Sequence, residues 1–451
     1  MDIPRLTVGC DCLFEGIDFQ LERVVKEKLT IENPQYVSAK KFGRWVGKKI
    51  KPTLTYYEII PNGIRFPRGF ANQAVLLCRA RGKGDPEIVD SRRSLDPVQF
   101  QFTGELRPYQ EEALALVEKR SFGVLEAGTG SGKTVMALAI IARRSQPTLV
   151  IVHTKELLYQ WRDRAEQFLG IKVGLVGDGK FSLQPLTIAI VNTVRKRAEE
   201  LVPHFGHLIV DECHRVPASL FTDVVSRFDC TYLLGLSATA FRRDDEMTKL
   251  IYYFMGDRIH KVDQSALQAS GAILKPEHIP IKSDFDYNYQ GDYHALMKAL
   301  TEHQGRNRKI IDDVARIVTS DNGGMSLVVS DRVGHCQLMA DSLKLMGFSV
   351  EMLTGQVTAE KRSEIVGAVQ RGEVQVLVAT LQLIAEGFDC PGLSHLFLTT
   401  PITFEGRLLQ VIGRIMRPAE NKRPKVFDYV DHLIGPLARS AKARKEVLDK
   451  L

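Results

Sequence analysis

Long apolar runs are missing from this chain of 451 residues. No stretch approaches the ~18 consecutive apolar residues that a membrane-spanning helix requires, so we expect neither a transmembrane segment nor a membrane partner. The first residues, 1–5, also lack the charged-then-apolar order of a secretory signal. These absences favour a soluble protein, and we expect it to be cytoplasmic.

Cysteine is scarce, with seven residues spread along the chain. Only Cys10 and Cys12 lie close together, and one such pair without a second pair is a weak metal signal. We therefore predict reduced thiols, no disulfide and no structural zinc. Glycine and proline, with 35 and 19 residues, are too few for a collagen-like or low-complexity chain. The hydrophobic fraction of 44% and the charged fraction of 25% are those of globular domains, and the length predicts two to four of them.

Acidic residues are almost absent between positions 33 and 84. This segment carries eleven basic side chains and the single acid Glu58, a net charge of +10, whereas the whole chain carries +7. Such a local excess favours a polyanionic partner. Because aromatic residues are interleaved with the basic ones, residues 1–103 are predicted to form a small folded α+β domain that binds nucleic acid, with a linker over residues 85–104. Its candidate contacts are Arg44, Trp45 and Lys48, and a core position for Trp45 is the open alternative.

From residue 104 onward, short apolar runs alternate with helical patterns. This alternation predicts two parallel-sheet α/β domains, 104–275 and 306–451, joined by a connector or small insertion at 276–305. The expected strands are 148–153, 187–192, 207–212, 232–238, 326–330, 374–380, 395–400 and 425–431. The expected helices are 108–120, 134–144, 156–168, 333–347, 359–372 and 406–417.

The strongest motif is a glycine-rich loop between an apolar run and a helical pattern. Backbone N–H groups of such a loop crowd around a phosphate, and the N-terminus of the following helix adds its positive end. Lys133 is expected to reach the β- and γ-phosphates, and the Thr134 hydroxyl is expected to bind Mg²⁺. The general pattern has glycine where this chain has Ala127. The predicted cofactors are therefore ATP and Mg²⁺, bound by Gly128, Thr129, Gly130, Ser131, Gly132, Lys133 and Thr134.

Two acids follow an apolar run downstream in the same block. A strand leading into Asp211 would place this carboxylate beside the Mg²⁺ at the carboxyl edge of a parallel sheet. Glu212 is then placed to polarise the attacking water as general base, and His214 can couple the site to the neighbouring strand. An Asp-Glu pair after a strand is commonly a solvated strand end, but its position after Lys133 within one alternating block favours the catalytic interpretation.

The residue run Asp211-Glu212-Cys213-His214, followed by Ser237-Ala238-Thr239, resembles the superfamily 2 helicases and translocases. The resemblance covers about residues 105–431 and implies two tandem RecA-like motor domains. Within the superfamily, the run 211–218 resembles the XPB-type repair helicases. The segment 33–63 is similar to the DNA-binding domain of the phage UvsW-type helicase of branched DNA.

The resemblance implies roles for further residues around the nucleotide. Arg107 and Gln110 would lie on the adenine side, and Ser237 and Thr239 would couple the nucleotide to movement. The run 380–389 resembles the coupling motif of the second motor domain, which adds three candidates near the nucleotide: Glu386, Gly387 and Asp389.

A run at 410–417 matches the finger motif Gln-x-x-Gly-Arg-x-x-Arg. In a helix over 406–417, Gln410, Arg414 and Arg417 are spaced i, i+4, i+7 and share one face. From a cleft between the two blocks, both arginines would stabilise the charge on the γ-phosphate. The resemblance also implies contacts with a nucleic-acid backbone from Thr154, Lys155, Thr193, Ser330, Gly355 and Thr380. Contacts with phosphate and sugar carry no base information, so we expect sequence-independent and salt-sensitive binding.

Three functions remain open from the residues and the resemblance. The first is an ATP-driven DNA helicase that unwinds or migrates branched DNA in repair or recombination. The second is a duplex translocase that hydrolyses ATP without net strand separation, and the third is an ATP-gated clamp within a larger assembly. RNA is an alternative track, and we expect a monomer or a weak oligomer.

Overall fold

The structure is a computed structural model that describes residues 3–41, 45, 50–82, 84–214, 218–238, 246–320, 324–385 and 392–451. Its contacts divide the chain into two units. Unit 1 consists of Met1–Gly128 with Gly132–Val262, and unit 2 consists of Thr129–Ser131 with Asp263–Leu451. The finer division at residues 103, 275 and 305 stays a prediction.

The first part of unit 1 is a small α+β module. Its elements are β1 Arg5–Val8, β2 Asp11–Glu15, α1 Phe19–Lys28, β3 Thr30–Glu32, α2 Pro34–Lys41, β4 Thr53–Thr55, β5 Glu58–Ile60, β6 Gly63–Pro67, α3 Ala71–Ala80 and β7 Glu87–Asp90. Five strands form a sheet in the order β5-β6-β2-β1-β7. Alternate residues of the central strands point into the core, Leu6 and Val8 from β1 and Cys12 and Phe14 from β2, because side chains of a strand alternate between its two faces.

The segment 85–104, which the sequence suggested to be a linker, contributes a strand to this sheet. β7 pairs with β1 in parallel, with Leu6 opposite Ile88. A short 3-10 helix, Arg68–Phe70, follows β6, and the turn at Asn62 has a positive φ of 63°. The Pro-Asn-Gly run at 61–63 and the Pro-Arg-Gly run at 67–69 therefore both lie at the ends of strands.

The second part of unit 1 is a parallel sheet covered by helices. Its elements are α4 Pro108–Glu118, β8 Phe122–Glu126, α5 Lys133–Arg144, β9 Thr148–Val152, α6 Lys155–Leu169, β10 Gly174–Gly177, β11 Lys180–Ser182, β12 Leu186–Ile190, α7 Val191–Lys196, α8 Ala198–Leu201, β13 His207–Val210, α9 Ala218–Val225, β14 Tyr232–Ser237, α10 Glu246–Met255 and β15 Arg258–Lys261. The strand order is β11-β10-β12-β9-β13-β14-β8-β15. Apart from the antiparallel edge strand β11, all neighbours pair in parallel. Strands β9 and β13 are buried along their whole length, as expected for a sheet covered on both faces.

The two parts of unit 1 share one hydrophobic core, which includes Phe66 and Phe70 from the module and Tyr253 from α10. The rings of Phe70 and Tyr253 meet edge to face at 6.0 Å. The Tyr253 hydroxyl donates to the Lys28 carbonyl at 2.5 Å. The buried Arg68 guanidinium donates to the Cys230 carbonyl at 2.6 Å. The N-terminal module is therefore built into unit 1 by packed side chains as well as by the chain itself.

Unit 2 contains a second parallel sheet. Its elements are α11 Gln264–Ala269, β16 Glu277–Lys282, α12 Tyr293–Glu302, α13 Gln304–Ser320, β17 Met325–Ser330, α14 Val333–Leu345, β18 Val350–Leu353, α15 Ala359–Gln370, β19 Val376–Thr380, α16 Leu381–Ala385, β20 Leu393–Leu398, α17 Glu405–Ile415, β21 Lys425–Val430 and α18 Gly435–Leu448. The six strands follow the order β16-β21-β20-β17-β19-β18, and every neighbouring pair is parallel. The predicted pair of parallel-sheet α/β domains is confirmed.

The region 276–305, expected to be a connector, contributes β16 and α12 to unit 2. Strand β16 pairs with β21 along its whole length, from Glu277 opposite Lys425 to Lys282 opposite Val430. Its aromatic tail packs inward, because Phe285 is 2% exposed and stacks on Tyr287 at 6.4 Å. Local patterning missed this strand because it lies at the edge of the sheet, contains Pro280, and has no fully buried residue.

Candidate active site

The glycine-rich loop connects β8 to α5, as predicted. Gly130 and Gly132 have φ values of +86° and +78°, in the left-handed region that glycine adopts without steric cost. A Cβ on Gly132 would also lie 2.5 Å from Nε2 of Gln110. The glycines are therefore required by the path of the backbone, which opens the N-terminus of α5 toward the position expected for a phosphate.

The Lys133 ammonium lies between the loop and an acid. Its Nζ donates to the Ala127 carbonyl at 3.0 Å and lies 3.7 Å from Oε1 of Glu212. Both side chains are largely buried, with 12% and 19% of their surfaces exposed. Lys133 and Glu212, predicted from separate motifs, are thus neighbours in unit 1.

Asp211 follows β13 directly, and its carboxylate is held at both oxygens. Oδ1 accepts from the backbone N–H of Glu212 at 2.9 Å, and Oδ2 accepts from the indole N–H of Trp161 at 2.8 Å. Burial, followed by the nearby charge of Glu212, raises the pKa of Asp211 to about 6. A divalent cation beside this carboxylate would favour its charged form.

The donor set at this point fits Mg²⁺, which takes oxygen ligands and usually binds through one or two carboxylates together with substrate phosphates. Each Asp211 oxygen uses one acceptor position for a protein hydrogen bond and retains another. Thr134 adds a hydroxyl one residue after Lys133. Among the described residues, no three His, Cys, Asp or Glu side chains lie close enough to hold a metal ion by themselves, and a magnesium site completed by phosphates does not need three.

Glu212 connects the loop to the next strand of the sheet. Its backbone has a φ of +48°, a strained conformation for a residue with a side chain and one that is typical of functional sites. Its Oε2 lies 3.3 Å from Nδ1 of His214. The same Nδ1 lies 2.8 Å from the Ser237 hydroxyl at the end of β14. A continuous polar chain therefore runs from Lys133 through Glu212 and His214 to Ser237.

Gln110 and Arg107 lie at the start of α4. Gln110 is 6% exposed, and its Oε1 accepts from the Arg107 backbone N–H at 2.8 Å. Because Gln110 also approaches Gly132, it lies beside the glycine-rich loop. Arg107 itself is exposed, and its contact with an adenine stays a prediction.

The candidate nucleic-acid contacts of unit 1 lie at the same sheet edge as Asp211 and Glu212. Thr154 follows β9 and caps α6, because its hydroxyl accepts from the Leu157 backbone N–H at 3.3 Å. Lys155, 65% exposed, pairs with Asp178. Thr193 lies in α7, three residues after β12 ends. Strands β12, β9 and β13 are neighbours, so these side chains and Asp211 share the carboxyl edge of one sheet.

Ser330 in unit 2 requires a correction. Its side chain is buried at 1% exposure, and its hydroxyl lies 2.9 Å from Nδ1 of His335. The His335 Nε2 lies 2.9 Å from Oδ1 of Asn307. We therefore withdraw the Ser330 side chain as a nucleic-acid contact, because it takes part in a buried hydrogen-bond network with His335 and Asn307. Gly355, exposed, and Thr380, half-buried, follow or end neighbouring strands β18 and β19.

The finger motif lies on α17, with one difference from the expected helix. Gln410 and Arg414 are buried, 4% and 7% exposed, and Nε of Arg414 donates to the Ile384 carbonyl at 3.0 Å. Helix α17 ends at Ile415, so Arg417 lies beyond it and does not continue the helical face. The expected helix over 406–417 was too long at its carboxyl end.

Several predicted residues lie outside the described part of the chain: Arg44, Lys48, Thr239, Glu386, Gly387 and Asp389. Trp45 is described and is 87% exposed, which excludes a core position for it. Sequence reasoning did not identify Trp161 as part of the site, because a large apolar ring within a helical pattern is typical of a core residue. Its bond to Asp211 depends on the neighbouring positions of β9 and β13, which the local sequence does not encode.

The loop, the acid pair and the parallel sheet define a nucleoside-triphosphate hydrolase. The chain matches two family models: the res subunit of type III restriction enzymes over residues 103–242 and the helicase conserved C-terminal domain over residues 309–419. The predicted family is confirmed: the chain belongs to the superfamily 2 helicases and is an ATP-dependent helicase. No helix in the described ranges is long and apolar enough to cross a membrane.

Relatives and folds agree with this family. The chain is 27% identical over 347 residues to Probable helicase D10 of Escherichia phage T5, covering 76% of this chain and 75% of the relative. It is 26% identical over 362 residues to DNA 3'-5' translocase XPB2 of Sulfurisphaera tokodaii, covering 70% and 80% of the two chains. The structure of S. cerevisiae Dbp5 bound to RNA and ADP BeF3 has a TM-score of 0.58 at 16% identity, over 77% of this chain and 89% of the other. The last likeness concerns the fold alone.

Proposed function

We propose that the chain couples ATP hydrolysis to movement along DNA and that it unwinds or branch-migrates branched DNA, in repair or recombination. The observation that carries the proposal is the shared edge of the first sheet. Lys133 and Glu212 lie at one part of that edge, and Thr154 and Thr193 follow strands at the adjacent part. One rigid sheet thereby carries both the site that hydrolyses the nucleotide and the surface that contacts the nucleic-acid backbone.

In the hydrolysis step, Glu212 acts as the general base and accepts the proton of the attacking water. Lys133 neutralises phosphate charge and lies 3.7 Å from Glu212. His214 and Ser237 position the glutamate through the contacts at 3.3 and 2.8 Å. Asp211 and Thr134 would hold Mg²⁺, which supplies electrostatic stabilisation of the phosphates when bound.

The preference for DNA is supported by the relatives and by the N-terminal module. One relative is named a DNA translocase, and the module carries most of the basic excess of the chain. In the structure, some of these basic side chains are buried or paired with acids, which leaves fewer of them to bind a nucleic-acid strand. Arg68 is buried, Arg65 pairs with Glu58 at 2.9 Å, and Arg79 pairs with Asp85. Among the described residues of the module, we therefore propose the exposed Trp45 as a substrate contact, and not Arg65, Arg68 or Arg79.

The test compares the ATPase rate of the intact protein with single-stranded DNA, duplex, fork, four-way junction and RNA. Glu212→Gln, purified in the same way, measures contaminating hydrolysis. Greatest stimulation by forked or four-way DNA supports the proposal, whereas greatest stimulation by RNA or indifference to all polynucleotides contradicts it. A strand-displacement assay on forked against blunt duplex then separates unwinding from translocation without strand separation.

The first 103 residues should not be removed in such tests. They share a core with the motor sheet of unit 1, so truncation would expose apolar side chains such as Tyr253 and Phe254 from α10. Loss of activity in a truncated chain would then report misfolding and not the absence of a DNA contact. Single exposed residues of the module are the appropriate targets.

A further inference from the structure

Helix α6 joins the proposed nucleic-acid contact to Asp211, the acid that would hold Mg²⁺. Thr154 caps its N-terminus, and Lys155 is its first residue. Seven residues after Thr154, Trp161 is 1% exposed and points at Asp211. Positions i and i+7 lie on one face of a helix, about 10 Å apart along its axis. One side of one rigid element therefore carries both groups.

The bond from Trp161 is directional. The indole has a single N–H donor and no acceptor, and this donor lies 2.8 Å from Oδ2 of Asp211. The other carboxylate oxygen is held by the backbone N–H of Glu212. If α6 rotated or slid by even part of an ångström, the hydrogen bond to Oδ2 would lengthen. The hydrogen bond to Oδ1 would not change, because its donor is the backbone of the turn after β13. The orientation of the carboxylate thus depends on the position of α6.

The opposite end of α6 is suited to a phosphate. The N-terminus of a helix presents backbone N–H groups that are not bonded within the helix, together with the positive end of the helix dipole. Lys155 adds a charge that is 65% exposed and pairs with Asp178. A backbone phosphate bound there would pull on the end of a 15-residue helix whose buried face contains Leu158 and Trp161. A rigid secondary-structure element of this kind is one route by which two sites can be coupled.

We propose that Trp161 is a positioning residue through which a strand bound at the N-terminus of α6 aligns the Asp211 carboxylate for Mg²⁺ and ATP. This inference rests on the proposed function, because it requires a polynucleotide at Thr154 and Lys155. It explains how binding at one part of the sheet edge accelerates hydrolysis at another. It assigns to a buried tryptophan a function beyond packing.

Trp161→Phe tests the proposal, because phenylalanine retains an aromatic ring and removes the donor. The readout is the Mg²⁺ concentration at half-saturation for binding of a fluorescent, non-hydrolysable ATP analogue, with and without a saturating single-stranded oligonucleotide. In the native protein the oligonucleotide should lower this concentration about tenfold, a change of ~1.4 kcal/mol by the standard conversion. In Trp161→Phe the oligonucleotide should bind as before and leave the Mg²⁺ half-saturation unchanged.

The control removes another hydrogen bond from the same helix. The Thr103 hydroxyl donates to the Phe168 carbonyl near the carboxyl end of α6 at 3.0 Å, so Thr103→Val loses one bond to this helix and none at Asp211, Thr154 or Lys155. It should keep the native response to the oligonucleotide. An unaltered oligonucleotide effect in Trp161→Phe, or its loss in both variants, overturns the assignment.

A second measurement keeps the proposal testable if Trp161→Phe fails to fold. The chain has only two tryptophans, so Trp45→Phe leaves Trp161 as the sole indole reporter. A saturating oligonucleotide, added without nucleotide, should change the emission of Trp161, and unchanged emission overturns the proposal. Absence of any polynucleotide effect on the native ATPase would instead refute the proposed function, so the two failures can be told apart.

Discussion

Gly69→Ala tests whether the N-terminal module and the first motor sheet form one folded unit. Gly69 lies in the short 3-10 helix after β6 and faces the carboxyl end of α10. An added Cβ would lie against the backbone nitrogen of Gly256 and 2.6 and 2.7 Å from the carbonyl oxygens of Tyr252 and Tyr253. All three are backbone atoms, so no side-chain rotation relieves the overlap, and the two elements must separate.

The expected magnitude follows from this geometry. Overpacking of a well-packed interior costs about 1–3 kcal/mol, and three backbone overlaps place Gly69→Ala at about 3 kcal/mol. In a unit of this size each kcal/mol lowers the melting temperature by about 2–4 °C, so a decrease of about 6–12 °C is expected for unit 1. Differential scanning calorimetry measures it, and in a Trp45→Phe background the Trp161 fluorescence reports whether the motor sheet unfolds in the same transition.

Gly334→Ala is the matched control. A Cβ on Gly334 meets no atom within 4 Å, and the residue lies in the first turn of α14, where alanine is the better helix former. It should melt at or slightly above the native temperature. A Gly69→Ala protein that melts within about 2 °C of the native one would refute a shared core. If the melting temperature falls only for a transition in which the Trp161 fluorescence does not change, the module and the motor sheet are two independent domains.

The remaining predictions concern the nucleotide and DNA sites. Lys133→Ala should weaken ATP binding in equilibrium titrations, and Glu212→Gln should bind ATP yet hydrolyse it about 10²–10⁴-fold more slowly; native turnover in Glu212→Gln would exclude it as the base. Arg414→Ala should lower the hydrolysis rate about 10³-fold or more with little change in ATP affinity, as for a finger arginine; an unchanged rate would leave it a structural residue. Trp45→Ala should weaken forked-DNA binding by about 1–3 kcal/mol, the contribution of one base–aromatic stack. Phe19→Ala, which removes another exposed aromatic of the same module, should not weaken it, and equal effects would contradict a specific role for Trp45.

Local patterns predicted the central strands of both parallel sheets but missed β16 and β7, and the elements that they did predict are in error at their ends. The strand expected over 187–192 ends at Ile190, and α7 begins at Val191. The helix expected over 406–417 ends at Ile415. The end of an element depends on which backbone groups find partners beyond it, and this is decided by neighbours distant in sequence.

The N-terminal region shows a second kind of limit. Its basic charge and aromatic residues predicted a folded module, and the five-stranded sheet agrees with that prediction. The sequence alone did not reveal that Arg68 is buried against Cys230 or that the module shares a core with α10. Charge counting treats each lysine and arginine as surface, whereas burial depends on which apolar faces the fold brings together.

The sequence by itself determined the family, the glycine-rich loop and the acid pair, because each lies within a few consecutive residues whose chemistry follows from backbone conformation and spacing. Only the tertiary structure decided that Trp161 donates to Asp211, that Ser330 points inward to His335, and that Lys133 meets Glu212. Those contacts depend on the order of strands in a sheet, which is set by long-range packing of buried faces and leaves no mark in any short segment of the chain.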